Sequence, residues 1–226
     1  MNIKNKKIIL SFDLDYTLID NTKGIVNSFQ YALKKHAISN IDENIIKKMI
    51  GIPLNKIFSQ VSDINPSILS ASFREFYATK GIYQVKLYSG VREKLHELSN
   101  DFIMGVITSK KQEMAVKLLK HLKINHFFDY IIGENEEIKS KQDPKLKQLL
   151  FSKYQNHEFV IIGDHPKDKL LSDMLNCPFI GVLTGHHSKD QLIGKYSKNQ
   201  LILKSIENIN KLQIYSLFDN KFNNLD

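Results

Sequence analysis

The stretch KIILSFDLDYT, residues 7–17, decides the fold. Its first six residues form a short apolar run that is rich in β-branched side chains, which is typical of a strand buried on both faces. The run ends at Asp13, and a second aspartate, Asp15, follows two residues later. Open α/β sheets bind their ligands at the carboxyl edge of the strands. The stretch therefore predicts a buried strand that brings two carboxylates to such an edge.

Similar apolar runs recur along the chain, and helical stretches separate them. The runs lie at 102–107, 130–132, 159–162, 179–183 and, more weakly, 201–203. The helical stretches lie at about 91–99, 111–122, 144–154, 167–176 and 205–214. Strands that alternate with helices predict an α/β fold with a parallel sheet covered by helices. The Asn-rich segment 220–224 is expected to fray.

An unusually long interval separates the first strand from the helix that begins at Val91. It spans about seventy residues, far more than a connection between a strand and the next helix needs. Apolar residues recur within it at helical spacing, with turns at Gly51-Ile52-Pro53 and Gly81. We therefore predict a core of residues 1–17 and 88–226 and an inserted helical domain of residues 18–87.

Composition excludes several classes of protein. With 226 residues, 42% of them hydrophobic and 25% charged, the chain suits a globular protein and is too apolar for disorder. Its one cysteine, Cys177, excludes an internal disulfide framework and fits a small buried hydrophobe better than a catalytic thiol. The basic N-terminus precedes too short an apolar run for a signal peptide, and no stretch has membrane-spanning length. These features favour a cytoplasmic location.

The formal net charge of +8 points to anionic partners. The lysines are scattered over all the predicted helices, however, and tryptophan is absent. We therefore expect solvated lysine-rich faces rather than a nucleic-acid surface. The positive potential suits a small phosphorylated metabolite, with neither nucleic acid nor a membrane as partner. The sequence leaves the oligomeric state open between monomer and homodimer.

A second pair of aspartates follows another predicted strand. The run 159–162 leads to Asp164, and Asp168 lies four residues further on, at the start of a helix. One interpretation is that these aspartates cap the helix, with Pro166 in its first turn. The other is a metal site, because parallel strands can bring Asp13, Asp164 and Asp168 together and Mg²⁺ prefers clustered carboxylate oxygens.

Two weaker signals lie in loops between predicted elements. Thr108 and Ser109 follow a strand, where their hydroxyls and backbone N–H groups can hold phosphate oxygens or can cap the next helix. Lys141 stands three residues before Pro144 in a loop that also carries Lys139. A phosphate-binding cation and a solvated lysine run are both compatible with that loop.

These four signals, in this order, resemble the haloacid dehalogenase superfamily of phosphohydrolases. The similar motifs are D-x-D-x-T at 13–17, a threonine after a strand at 108, a lysine at 141 and G-D-x-x-x-D at 163–168, so the resemblance covers nearly the whole chain. The insertion falls where that superfamily carries its helical cap. Within the superfamily the chain looks like the phosphoglycolate phosphatase group. Further similarities to that group are Leu18-Ile19-Asp20-Asn21, Gly51-Ile52-Pro53-Leu54, Tyr88-Ser89-Gly90-Val91 and Phe179-Ile180-Gly181-Val182.

The resemblance implies a Rossmann-like core with an inserted cap, and a phosphatase mechanism. Asp13 is expected to attack phosphorus and form an aspartyl-phosphate. Asp15 is expected to protonate the leaving oxygen and then to deprotonate the hydrolytic water. Thr108, Ser109 and Lys141 are expected to bind the phosphoryl oxygens. The implied substrate is a small phosphomonoester similar to phosphoglycolate.

The resemblance also implies a Mg²⁺ cofactor. Its expected ligands are the carboxylates of Asp13 and Asp164 and the backbone carbonyl of Asp15, with Asp168 supporting the site. His165, next to Asp164, is a further residue that can line this pocket. The adjacent His186 and His187 lack the spacing of a zinc site and are expected in a surface loop.

Two departures from the family pattern affect the expected substrate site. Tyr16 stands where close relatives usually have glycine, and we count it with Gly51 of the insertion among the substrate-binding residues. Gln142 stands where a proline usually follows the motif lysine, so the choice of Lys141 over Lys139 rests on Pro144.

Two other functions stay open from the sequence. A phosphosugar mutase of the same superfamily needs the same two aspartates, Asp13 and Asp15. A non-enzymatic receiver-like module also holds magnesium with aspartates at strand ends. Retention of Asp15 and the long insertion favour the phosphatase.

Overall fold

Alternating strands and helices build a six-stranded parallel sheet in a computed structural model, which describes residues 7–193 and 199–219. The predicted tail at 220–224 lies outside these residues. The strands are β1 (Lys7–Phe12), β2 (Ile19–Asp20), β3 (Lys86–Leu87), β4 (Ile103–Lys111), β5 (Tyr130–Glu134), β6 (His157–Gly163), β7 (Phe179–Val182) and β8 (Gln200–Leu203). The order in the large sheet is β5-β4-β1-β6-β7-β8, and every pairing in it is parallel. The predicted α/β fold is confirmed.

Ten α-helices lie in the described part of the chain. They are α1 (Thr22–Lys35), α2 (Glu43–Met49), α3 (Leu54–Val61), α4 (Pro66–Thr79), α5 (Val91–Ser99), α6 (Gln112–His121), α7 (Pro144–Lys153), α8 (Pro166–Leu175), α9 (Lys189–Leu192) and α10 (Lys211–Asp219). Short 3₁₀ helices occupy Gly81–Tyr83, Asn125–Phe127 and Ile206–Asn208. None of these helices is long and apolar enough to cross a membrane.

The chain forms two compact units. One comprises Met1–Ile19 and Leu87–Asp226 and contains the large sheet, and the other is Asp20–Lys86. The chain passes between them at β2 and β3, which pair with each other as a two-stranded sheet. We call the first the core unit and the second the helical unit. The range of the helical unit lies close to the predicted insertion, residues 18–87.

β1 lies near the centre of the large sheet, and its apolar side chains are buried on both faces of that sheet. Ile9, Leu10 and Phe12 are completely buried. In the neighbouring β6, residues Phe159 to Ile162 are at most 2% exposed. Such continuous apolar burial is what a parallel strand covered on both faces requires.

The helical unit has its own apolar centre. The rings of Phe29 and Phe58 stack with their centroids 4.5 Å apart, and Leu33 and Leu69 are fully buried. α2 and α4 begin at residues whose side chains accept hydrogen bonds from the first helical turn, Asp42 and Asn65. Tertiary packing and capping together therefore account for these short helices.

The predicted helix at 205–214 is wrong. The chain there forms the 3₁₀ turn Ile206–Asn208, and α10 begins only at Lys211. Asn210 accepts a hydrogen bond from the backbone N–H of Gln213 at 2.9 Å, so its side chain fixes the later helix start. The apolar spacing alone did not reveal this interruption.

β4 is longer than the apolar run that predicted it. It continues to Lys111, and its register with β5 shifts between Ile107 and Lys111. α6 therefore begins at Gln112, and its N-cap position is Lys111 rather than Thr108 or Ser109. The interpretation of Thr108 and Ser109 as helix caps is wrong for this reason.

Candidate functional site

Three aspartates meet at the carboxyl edge of the large sheet. Asp13 follows β1 and Asp164 follows β6, and these neighbouring strands are joined there by a hydrogen bond from the Asp13 N–H to the Ile162 carbonyl, at 2.8 Å. Asp168 comes from the first turn of α8. Carboxylate oxygens of Asp13, Asp164 and Asp168 lie within 4.8 Å of one another, and all three residues are buried. The structure thus brings together the three carboxylates that the sequence assigned to a metal.

Asp168 takes part in a helix cap as well as in this cluster. Its Oδ2 accepts a hydrogen bond from the His165 N–H at 3.1 Å, while His165 Nδ1 accepts one from the Lys167 N–H at 3.0 Å. This is a capping box with His165 as the N-cap residue. The N-cap residue is thus His165 and not the adjacent Asp164, and Asp168 lies in the first turn of α8, where its charge suits the helix dipole. The other Asp168 oxygen remains directed at the cluster.

Asp164 is fixed from three directions. Thr17 Oγ1 donates a hydrogen bond to Asp164 Oδ1 at 2.8 Å, and the His187 ring is hydrogen-bonded to the Asp164 backbone. The chain also passes close by at Gly185, where a Cβ atom would lie only 1.9 Å from Asp164 Oδ2. A side chain at position 185 would therefore displace the carboxylate.

Lys141 lies between two members of the cluster. Its Nζ is 2.6 Å from Asp13 Oδ1 and 2.5 Å from Asp168 Oδ1, and its side chain is only 3% exposed. Burial alone would lower the pKa of Lys141, but the carboxylates of Asp13 and Asp168 outweigh it and raise the pKa. Lys139 is exposed, and its backbone N–H donates to Asp143, the N-cap of α7. Of the two lysines, the structure places Lys141 in the site.

Asp15 has a different cationic neighbour, Lys110, which the sequence analysis missed. Lys110 Nζ is 3.2 Å from Asp15 Oδ2. Burial raises the pKa of the Asp15 carboxyl, and the charge of Lys110 opposes that rise. Lys110 and Lys111 are adjacent residues of the same type, so only the irregular end of β4 distinguishes them. The sequence therefore contains no signal that singles out Lys110 from Lys111 as a residue of the site.

The end of β4 also positions Thr108. Thr108 is 3% exposed, and its Oγ1 accepts a hydrogen bond from the Lys110 N–H at 3.2 Å. The Thr108 hydroxyl hydrogen can therefore be donated elsewhere, for example to a phosphoryl oxygen. Ser109 is exposed.

Tyr16 adopts a backbone conformation that favours glycine. Its φ is +61°, in the left-handed region that non-glycine residues rarely occupy. Its carbonyl accepts a hydrogen bond from Thr184 Oγ1 at 2.5 Å, and its ring lies edge-on to His186 with centroids 4.6 Å apart. The loop after β7 thus holds the loop that carries Asp13 and Asp15.

The remaining residues singled out from the sequence lie elsewhere or have other partners. Gly51 belongs to the helical unit, in the turn between α2 and α3, where its φ is +98°. His165 packs its ring against that of His187, with centroids 4.3 Å apart. His186 is exposed in its loop, as expected. Cys177 is partly buried against the apolar cluster of the core unit.

The electrostatics of the cluster favour a cation. Burial, followed by the charges of Asp13 and Asp168, raises the pKa of Asp164 to about 8. Burial, with a further contribution from Asp13, raises the pKa of Asp168 to about 6 despite the opposing charge of Lys141. Ionised carboxylates in such a group repel one another, so the group takes up protons or a cation. The oxygen-only donor set suits a hard divalent ion such as Mg²⁺.

Comparisons with known proteins agree on one family. A family model described as haloacid dehalogenase-like hydrolase matches residues 9–182. A putative pyrophosphatase PpaX from Caldanaerobacter subterraneus subsp. tengcongensis is 32% identical over 162 residues, which cover 70% of this chain and 74% of that protein. A phosphoglycolate phosphatase from Yersinia pestis is 26% identical over 189 residues, covering 79% of this chain and 82% of that protein. The crystal structure of a putative phosphatase from Clostridium difficile has 27% identity and a TM-score of 0.80, covering 92% of this chain and 99% of that one.

Proposed function

Because the chain belongs to the haloacid dehalogenase-like hydrolases and is a phosphatase of that family, we propose that it hydrolyses a small phosphomonoester, similar to phosphoglycolate, with Mg²⁺ and through a phosphorylated Asp13. The observation that carries this proposal is the buried cluster of Asp13, Asp164 and Asp168 with Lys141 between two of its members. A purely structural salt bridge with Lys141 would not require three buried carboxylates at the carboxyl edge of the sheet.

Asp13 is the nucleophile in this mechanism. The ammonium of Lys141, 2.6 Å from Asp13 Oδ1, offsets the negative charge that would otherwise repel an approaching phosphate. Attack by an Asp13 oxygen on phosphorus forms the acyl phosphate, and the bond from phosphorus to the ester oxygen breaks. Lys141 and the Thr108 hydroxyl hold the phosphoryl oxygens during this transfer.

Asp15 moves the protons. It gives one to the leaving oxygen as that bond breaks, and in the second step it takes one from the water that attacks the phosphorus of the acyl phosphate. This second step releases inorganic phosphate and restores Asp13. The different neighbours of Asp13 and Asp15, Lys141 and Lys110, support this division of roles.

The donor set fits the proposed Mg²⁺. The three carboxylates of Asp13, Asp164 and Asp168 and the ammonium of Lys141 leave two negative charges, which one divalent ion balances. Asp13, Asp164 and the backbone carbonyl of Asp15 would hold the ion, with Asp168 supporting it. When bound, Mg²⁺ neutralises charge on the phosphoryl oxygens. The helical unit is proposed to act as the cap that excludes water and selects the substrate.

Pyrophosphate is a second candidate substrate. Support comes from the relative named as a putative pyrophosphatase, at 32% identity. The same attack by Asp13 on a terminal phosphorus would release phosphate as the leaving group. Pyrophosphate needs less help from Asp15, because phosphate is a better leaving group than an alkoxide.

Phosphate release by the purified protein tests the proposal. After treatment with a chelator, the protein is assayed with and without added Mg²⁺ on phosphoglycolate, a phosphosugar, a nucleoside monophosphate and pyrophosphate. We expect activity only with Mg²⁺, and no activity in the Asp13→Asn variant, whose amide is a poor nucleophile. That variant should have an unchanged circular dichroism spectrum. Turnover that persists in Asp13→Asn or in chelator would refute the mechanism.

A further inference from the structure

Lys110 has a largely buried side chain, and its ammonium lies beside a proposed catalytic residue. Its side chain is 8% exposed and its Nζ lies 3.2 Å from Asp15 Oδ2. Lys111, the next residue, is exposed. Burying an ammonium group is costly unless a charged partner or a function compensates for it. Asp15 is such a partner, and it places the Lys110 ammonium beside the loop that carries both proposed catalytic aspartates.

The backbone at the end of β4 fixes the position of this ammonium. The register of β4 with β5 shifts between Ile107 and Lys111, which is the local geometry of a bulge. Within the shifted segment the Lys110 N–H donates to Thr108 Oγ1, so Lys110 is tied to a residue proposed to hold the phosphoryl group. Bulges often direct a side chain into an active site in this way.

The two buried lysines lie beside different carboxylates. Lys141 contacts Asp13 and Asp168, the nucleophile and a member of the metal cluster. Lys110 contacts Asp15, the proposed proton donor to the leaving oxygen. A hydrogen bond from Asp15 to that oxygen spans about 2.7 Å. A leaving oxygen that bonds to Asp15 Oδ2 therefore lies within about 6 Å of Lys110 Nζ, close enough for a strong interaction with a charge one or two bonds beyond it.

We propose that Lys110 determines specificity by attracting substrates whose leaving group carries a negative charge next to the scissile oxygen. This inference rests on the proposed function, since it uses the role of Asp15. The substrates it favours have a carboxylate or phosphate one or two bonds from the ester oxygen. Phosphoesters with a neutral leaving group of the same size lack this attraction and are poor substrates.

A matched pair of esters tests the assignment. Phosphoglycolate and its neutral amide have nearly the same shape and differ by one negative charge on the leaving group. We expect wild-type protein with Mg²⁺ to show kcat/KM at least about 10-fold higher for the acid than for the amide. In Lys110→Met the ratio should fall to within about 2-fold of unity, while Lys110→Arg should keep most of it.

Lys111→Met is the control, because it removes the neighbouring exposed lysine and should leave the ratio unchanged. Circular dichroism establishes that each variant is folded, and Lys110→Gln provides a second neutral variant if Lys110→Met is not. The measured quantity is the ratio of kcat/KM for the acid to kcat/KM for the amide. A loss of turnover that acts through Asp15 lowers both values equally and leaves this ratio unchanged.

The outcomes separate this inference from the proposed function. p-Nitrophenyl phosphate reports phosphatase activity in every variant. If no phosphoester is hydrolysed, the proposed function fails and the inference fails with it. If p-nitrophenyl phosphate is hydrolysed but wild type does not prefer the acid, or if the neutral variants lose activity on both esters equally, only the inference is overturned.

Discussion

Two aspartates of the first loop, two residues apart, have different surroundings. Asp13 is buried beside Lys141, and Asp15 is partly exposed beside Lys110. Both residues are aspartates, so residue type alone does not distinguish them. Their neighbours come from two different parts of the chain, at 110 and 141, and support the proposed division between attack and proton transfer.

The Asp15→Asn variant tests this division. Because the amide cannot donate or accept the proton, turnover of an alkyl phosphate should fall by about 10²- to 10⁴-fold. The loss in the phosphorylation step should be smaller with p-nitrophenyl phosphate, whose leaving group needs little protonation. Hydrolysis of the phosphorylated Asp13 still needs the base, so the phosphoenzyme should accumulate.

Rapid-quench measurement of acid-stable, hydroxylamine-sensitive phosphate on the protein detects that intermediate. Asp13→Asn is the control, because it lacks the oxygen that becomes phosphorylated. Equal losses on both esters without trapped phosphate would show that Asp15 is structural.

The raised pKa values of the cluster predict a pH-dependent stability in the absence of metal. The folded protein holds protons on Asp164 up to about pH 8 and on Asp168 up to about pH 6, whereas an unfolded chain releases them near pH 4. Folded protein thus binds more protons in this range, and its stability falls as pH rises from about 4 to about 8. In the proposed mechanism Mg²⁺ takes the place of these protons.

The increase in Tm on adding Mg²⁺ should therefore be larger at pH 8.5 than at pH 6. Scanning calorimetry at both pH values, with and without Mg²⁺, measures it. Asp164→Asn serves as the comparison, because it should lose most of the difference. An equal increase at both pH values in wild type would contradict this account of the cluster.

At the scale of elements, the loop after β7 supports Asp164, a proposed metal ligand, and the loop that carries Asp13 and Asp15. Its Gly185 passes so close to Asp164 that a Cβ atom would overlap the carboxylate oxygen, and its Thr184 binds the Tyr16 carbonyl. Neither contact was visible in the sequence, because Thr184 and Tyr16 are 168 residues apart and the approach of Gly185 to Asp164 follows from backbone proximity alone.

Gly185→Ala should weaken Mg²⁺ binding while the protein stays folded. Displacing Asp164 from its position should raise the Mg²⁺ concentration for half-maximal activity by about 10- to 100-fold, the usual effect of disturbing the support of a metal ligand. Titration of activity with Mg²⁺ measures the shift. Lys189→Ala, an exposed change just beyond the same loop, should have no effect. An unchanged titration in folded Gly185→Ala protein would refute the supporting role.

Some elements could be predicted from the sequence, and others could not. β1 and α5 have the predicted bounds, because an apolar run that stops at Asp13 and a helix that follows Gly90 are strong local signals. The prediction of a helix at 205–214 was wrong because it followed the apolar spacing alone. Asn210 and Gln213 form a capping pair that starts the helix later, and both residues can be read from the sequence. Lys110 could not be found, because its burial depends on the register shift of β4.

At the scale of the whole molecule, the helical unit is one continuous segment between two adjacent points of the core unit. The Tyr88 N–H donates to the Leu18 carbonyl at 3.1 Å, so the chain leaves and re-enters the core unit at neighbouring positions. Each unit also has its own buried apolar residues. A short linker can therefore replace the segment without stretching the core unit.

Replacing residues 20–86 by a short Gly-Ser linker tests the proposed cap. We expect a folded core that keeps Mg²⁺-dependent hydrolysis of p-nitrophenyl phosphate, since Asp13, Asp164, Asp168 and Lys141 all belong to the core unit. Selectivity among small phosphoesters should fall. Phosphate release on the same panel, with full-length protein in parallel, provides the comparison. An unchanged ranking of substrates in the shortened, folded protein would show that the helical unit does not select them.

The strand order has a consequence for synthesis on the ribosome. β1 is made first, yet it lies between β4 and β6, and Phe12 pairs with Ile162, about 150 residues later. Closing such long loops is slow compared with forming the local contacts between α1, α3 and α4. The apolar run from Ile8 to Phe12 therefore stays unpaired until β4 has been made, and its second edge stays open until β6 follows, which exposes this segment of a nascent chain to aggregation and to chaperone binding.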